Sequence, residues 1–195
     1  SGLCRYNRDT DTFSRELTNA QSNSSFIFKH NVNTIFEDDS KTLWVGTSDG
    51  LHRFDRSSNG FTLSVYRADS NGVGLSNNYV PQSRQDDWGL LLVTRKGLNR
   101  IPFKDGSELE IKKILHNDLV DLFVSSMIID FNSTVWIGTN TGLHKIVYSS
   151  GNNFEVSKNV LETIDNSLSS VSINSLLRYD KSNIWIGTKK LGLIN

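Results

Sequence analysis

The chain has 195 residues, enough to bury a sizeable core as one domain or as one repeat array that behaves like a domain. Its 21 Lys and Arg residues balance 21 Asp and Glu, so no broad field favours a phosphate backbone or an anionic membrane, and nucleic acid is excluded as an expected partner. No apolar stretch reaches the length of a membrane span, no charged-then-apolar leader opens the chain, and the one cysteine, Cys4, can form no internal disulfide. The expectation is that the chain is cytosolic or that its targeting and anchoring segments lie outside it.

In chain order, Gly2-Leu3 reads as the tail of a repeat copy, a third strand followed by a fourth near Phe13 to Leu17. The first full copy holds four short strands, Val32 to Glu37, Leu43 to Thr47, Leu51 to Asp55 and Phe61 to Arg67. They are joined by Asp38-Asp39-Ser40-Lys41, Ser48-Asp49-Gly50 and Ser58-Asn59-Gly60, residues that tolerate tight or left-handed backbone. Its core motif, Leu43-Trp44-Val45-Gly46-Thr47 then Gly50-Leu51, recurs as Val135-Trp136-Ile137-Gly138-Thr139 then Gly142-Leu143, and as Ile184-Trp185-Ile186-Gly187-Thr188 then Gly192-Leu193. Between the first two lies a degenerate copy, Leu90-Leu91-Leu92-Val93-Thr94 then Gly97-Leu98. The threonines at 47, 94, 139 and 188 are 47, 45 and 49 residues apart, a period between those of two known propeller repeats. The third copy repeats the turns with Asp130-Phe131-Asn132-Ser133, Asn140-Thr141-Gly142 and Gly151-Asn152-Asn153.

Four antiparallel strands recurring at this period make a β-propeller blade, so the fold class is all-β. The expected divisions of 1–195 are a half-blade at 1–18, blades at about 32–67, 79–114 and 124–158, and a half-blade at 173–195. Helix is confined to single turns around 69–79 and 163–172. The recurring tryptophans fill the gap between blade faces, with Leu91 in their place in copy two, and burying each contributes on the order of 4–6 kcal/mol as an upper bound. Gly46, Gly138 and Gly187, two residues on, mark a close approach of a neighbouring backbone or of the next blade's Trp.

The Asp-rich turn, Leu/Val/Ile-Trp-Val/Ile-Gly-Thr and Gly-Leu together resemble the two-component regulator propeller repeat. The linkers fit as well: Tyr66 to Ser70 running through Gly74-Leu75-Ser76 to Val80, and Ile164 to Ser169, have the Leu-Ser step that leads that family's chain into the next inner strand. The resemblance covers essentially the whole chain. It implies a non-catalytic, ligand-sensing module in the periplasm, part of a membrane-bound hybrid histidine kinase that signals by phosphorelay, in bacteria that degrade polysaccharides. An oligosaccharide is then the implied ligand, with further blades of the same protein or a second copy as partners and the membrane reached only through other segments. Copy two departs at Leu91 and Val93, and copy four carries one extra residue before Gly192, so both are expected to be locally irregular.

No cofactor or metal site and no catalytic set is expected. His30, His52, His116 and His144 are far apart, and the slot of His52 and His144 is filled by Cys4, Asn99 and Ile194 elsewhere, which reads as a structural strand position. Asn7-x-Asp9-x-Asp11 starts like a calcium loop but has Thr12 and Thr18 where glycine and glutamate are needed, so it reads as a hairpin turn. Gly72-x-Gly74 lacks the dinucleotide context. Glu37-Asp38-Asp39 and Asp86-Asp87 have the composition of a glycosidase pair, yet they recur at one turn and read as solvated turn residues. Two roles are open to Trp88, stacking on a sugar or partner from an exposed loop, or tucking back for the tryptophan missing at 91. The competing functions are a propeller enzyme, a polysaccharide or antibiotic lyase or hydrolase, and a protein-binding scaffold. The two half-blades are complementary, and the expectation is an open arc that associates with a second copy or with further blades rather than a closed four-bladed ring.

Overall fold

The computed structural model describes residues 3–14, 30–58, 60–102, 110–120, 123–148 and 154–194, with the backbone alone at 115–120 and at Ser167. Leu17, the Gly151-Asn152-Asn153 turn and the side chain of His116 therefore lie outside the described residues.

The described chain is all-β, its strands gathered into sequential antiparallel sheets. A hairpin of β1 (Arg5–Asn7) and β2 (Thr12–Ser14) comes first. The next sheet is β3 (Val32–Glu37), β4 (Leu43–Thr47), β5 (Gly50–Ser57) and β6 (Gly60–Tyr66), paired in chain order. It is followed by β7 (Gln82–Asp86), β8 (Gly89–Thr94), β9 (Lys96–Pro102) and β10 (Lys112–Val120), then by β11 (Val124–Ile129), β12 (Val135–Thr139), β13 (Gly142–Tyr148) and β14 (Phe154–Ser157). The last sheet has β15 (Ile173–Arg178), β16 (Ile184–Thr188) and β17 (Leu193–Ile194). One 3-10 turn, Asn166–Leu168, precedes it.

The sheets are blades because their first strands lie side by side, β3 against β7, β7 against β11 and β11 against β15. The apolar cores sit between successive sheets. Leu51 and Trp44 of the first meet Leu90, Leu92 and Ile101 of the second, and Leu91, Val93 and Leu98 of the second meet Met127, Ile137 and Ile146 of the third. Leu75, from the linker's Leu-Ser step, is buried in the first of these gaps.

The motif threonines close the central hairpins. Thr47 Oγ1 donates to the Gly50 carbonyl at 3.0 Å, and Thr94, Thr139 and Thr188 do the same to Gly97, Gly142 and Gly192 at 2.9, 2.9 and 2.8 Å. The extra residue of copy four is absorbed without losing that bond, with Gly192 at φ 74° where the other three glycines stand at 113–144°. Copy two is irregular at its outer edge, where β9 and β10 pair with two register shifts and β10 runs beyond the expected boundary at 114.

Each intact motif also carries a register shift in its first strand, opposite the glycine: Thr34 pairs Gly46, Ser126 pairs Gly138 and Ser175 pairs Gly187. Copy two, with Val93 there, pairs β7 and β8 in unbroken register. A Cβ on Gly46 would sit 2.5 Å from Thr34 Cγ2 and 2.8 Å from the Val80 carbonyl oxygen, so it is the next blade's backbone that approaches, not its tryptophan. Gly46→Ala is expected to cost about 1–3 kcal/mol through this overlap, readable as a lower urea midpoint; an unchanged midpoint would mean the blades separate at no cost.

Equal burial of the tryptophans does not hold. Trp44 is buried, whereas Trp136 and Trp185 are half-buried. Trp44 is covered by a complete neighbouring blade, while Trp136 borders a cavity of about 500 Å³ lined by Leu161, Ile164, Ile184 and Ile194. Trp185 stands edge-on to the exposed Tyr179.

Candidate functional site

The third strand of each four-stranded sheet carries a cation two residues after its Gly-Leu: Arg53, Arg100 and Lys145. In antiparallel pairs, opposed residues share a face. Arg53 opposes Trp44 and Lys145 opposes Trp136, each placing its charge 5.4 Å from the ring centroid. Arg100 opposes Leu91, which offers no ring.

Its guanidinium has turned elsewhere. It forms an ion pair with Asp86 in which the side chains are 7% and 2% exposed. It also lies 4.5 Å from the ring of Tyr148, on the neighbouring blade, and 5.5 Å from that of Trp88. The two rings are 5.5 Å apart, so Trp88 tucks over the cation while remaining 48% exposed. It compensates for the missing tryptophan by serving the arginine rather than the core. Arg100 Nε has no hydrogen-bond partner among the described residues. Burial pushes the Tyr148 hydroxyl up to about 12, and burial likewise raises Asp86 against the pull of Arg100. Beside them opens a cavity of about 350 Å³ lined by Arg100, Lys112, Lys113, Ile114 and Tyr148.

The paired acidic residues are structural, and the reading of Asp38 and Asp86 as solvated is corrected. Asp38 is buried and accepts the Trp44 indole N–H at 2.8 Å with one oxygen and the Thr42 N–H at 2.9 Å with the other. Asp130 does the same for Trp136 and Thr134 at 2.8 and 2.9 Å. Both turns contain one residue in left-handed backbone, Lys41 at φ 67° and Ser133 at φ 58°. The turn of copy four has the same length, but Tyr179 stands where Asp38 and Asp130 do, and Asp180, one residue on, bonds Asn183 instead. Glu37 is exposed and ion-paired with Lys41 at 3.3 Å and Arg56 at 2.9 Å, which hold its carboxyl low, and Asp39 binds Gln85 of the next blade.

The Asn7 to Asp11 segment is a hairpin turn in which Asn7 Oδ1 accepts the Asp9 N–H at 2.9 Å, and Cys4 is exposed. His52 and His144 occupy equivalent buried positions on different blades and do not converge. His144 Nε2 lies 3.1 Å from Thr139 Oγ1, while Asn99, in the same slot, accepts from the Ser76 N–H at 2.9 Å. The groups facing His52 are His30, Asp49 and Arg67, with Asp49 held by His30 at 3.4 Å and by Arg67 at 2.8 Å.

Burial first, then Arg67 and His30, pushes His52 down to about 4. An unfolded histidine takes its proton near 6.5, so the stability from burying a neutral ring is full above that pH and is lost as pH falls toward 4. The melting temperature is therefore expected to fall between pH 7 and pH 4.5, and to fall less in His52→Leu; equal slopes would place the titration elsewhere.

Residues 27–49, spanning the Asp38 turn and the Trp44-Val45-Gly46-Thr47 strand, match the family model described as two component regulator propeller. Over those residues the chain is similar to a two component regulator propeller repeat. The same Trp-x-Gly-Thr element recurs at Trp136 and Trp185, so the matched repeat is one of a series. The fold is similar to that of a protein described as the extracellular domain of a hybrid two component system, BT4673 of B. thetaiotaomicron, at a TM-score of 0.68 and 18% identity over 98% of this chain and 24% of that one. It is similar also to PorZ, described as a surface component of the type-IX secretion system of Porphyromonas gingivalis, at 0.54 and 16% identity over 83% of this chain and 25% of that one. The propeller repeats described here thus span about a quarter of either protein. No curated protein matches the chain.

Proposed function

We propose that this chain is the non-catalytic, ligand-sensing propeller portion of a membrane-bound hybrid two-component sensor kinase. It faces the periplasm, responds to a small ligand of the oligosaccharide class and signals by phosphorelay in polysaccharide use. The observation that carries this reading is the two component regulator propeller match at 27–49. The chemistry of the blades supports it, since Glu37, Asp38 and Asp86, the acids that the sequence offered as a glycosidase pair, are held by cations or by an indole. The chain's share of the BT4673 domain supports association with further blades of its own protein or with a second copy.

In this reading a ligand seated between blades stabilises one relative arrangement of them, and the signalling domain responds to that shift. The test is the complete reading frame and its product. A membrane helix followed by a phosphoacceptor histidine, and glycan-dependent phosphate incorporation by the full-length protein in vesicles, are expected. A frame without a kinase, or glycan turnover by this chain that disappears on mutating Glu37 or His52, overturns it.

A further inference from the structure

We infer that the gap between the second and third blades is a binding site for a small monoanion, its oxyanion at Arg100 and Lys112 and its ring-sized body on Ile114 and Tyr148. This site is internal to two complete blades and does not depend on the signalling reading.

The argument rests on a charge that the repeat does not otherwise carry. The residue opposite the third-strand cation is Ser64 in the first blade and Ser157 in the third, but Lys112 in the second. Two cations therefore stand directly opposite each other on one face, an arrangement that destabilises a strand pair unless an anion lies between them. Asp86 supplies one negative charge and already faces Arg100. Lys112 makes no ion pair among the described residues. Lys113, opposite Asn99, also lines the cavity, and Asp69 lies within its field. Asp86 and Asp69 thus face two of the three lining cations, and Lys112 is the one that a carboxylate or sulfate ester would neutralise. Arg100 is nine-tenths buried and lines the cavity, so its charge acts where water is largely excluded. The cavity, about 350 Å³, is at the small end of ligand sites, and the Tyr148 ring and Ile114 give it an apolar wall.

Titration calorimetry on the chain with glucuronate, benzoate and inorganic sulfate tests this. Saturable binding of at least one organic carboxylate is expected, tighter than that of sulfate, and benzoate against glucuronate tells a flat body from a saturated ring. Lys112→Ser, which restores the residue of the other blades, should weaken binding about tenfold or more while leaving the melting temperature equal or higher. Lys112→Arg should retain binding. The proposal is overturned if none of the three probes binds saturably, if Lys112→Ser binds as the parent does, or if bare sulfate binds as tightly as the organic anions.

Discussion

Replacing Asp86 by alanine is expected to cost about 3–5 kcal/mol, because it leaves the Arg100 guanidinium buried without its counter-ion. The same change removes the acceptor of the Trp88 N–H, bonded at 2.9 Å, so the tight turn loosens as well. Adding Arg100→Leu removes the stranded charge and should recover a large part of the loss. The double-mutant cycle, read by urea unfolding, isolates the pair. If Asp86→Ala alone shifts stability by less than about 1 kcal/mol, the arginine is solvated and not enclosed between blades.

Trp44→Ala is expected to cost about 3–5 kcal/mol, the range of large-to-small changes in a closed core. The ring is enclosed by Leu51, Leu75, Val80, Leu90, Leu92 and Ile101, its indole N–H is bonded to Asp38, and Arg53 lies over its face. Trp136 has the equivalent bond and cation partner, but Trp136→Ala empties a half-covered site, so its loss should be smaller. Thermal or urea unfolding of both variants checks the order. A larger loss for Trp136 would mean that the third interface, not the first, carries more of the stability.

The blades were legible because strand, turn and motif spacing are local properties. Trp, Gly, Thr and Gly-Leu recur at a fixed period, and β-branched runs ended by Asp, Asn and Gly can satisfy their backbone only as short strands. The structural reading of the His52 and His144 slot was equally available, since one position filled by His, Asn, Cys and Ile cannot bind one ligand in every copy. The third-strand cation at 53, 100 and 145 is as regular as the motif, and counting from Gly-Leu would have found it.

The sequence by itself determined the class of fold and the defect in copy two, because both follow from repetition. Only the tertiary structure decided what that defect does. Whether Asp38 is solvated or caps an indole depends on its standing first in a turn with one left-handed residue, a place that Tyr179 takes in the equally long turn of copy four. Whether Arg100 stacks on its own blade or turns to the next depends on Asp86, Trp88 and Tyr148 meeting it across a gap, with Tyr148 contributed from 48 residues further along the chain than Arg100. Such meetings are set by the packing of one blade on another, and periodicity along the chain carries no record of them.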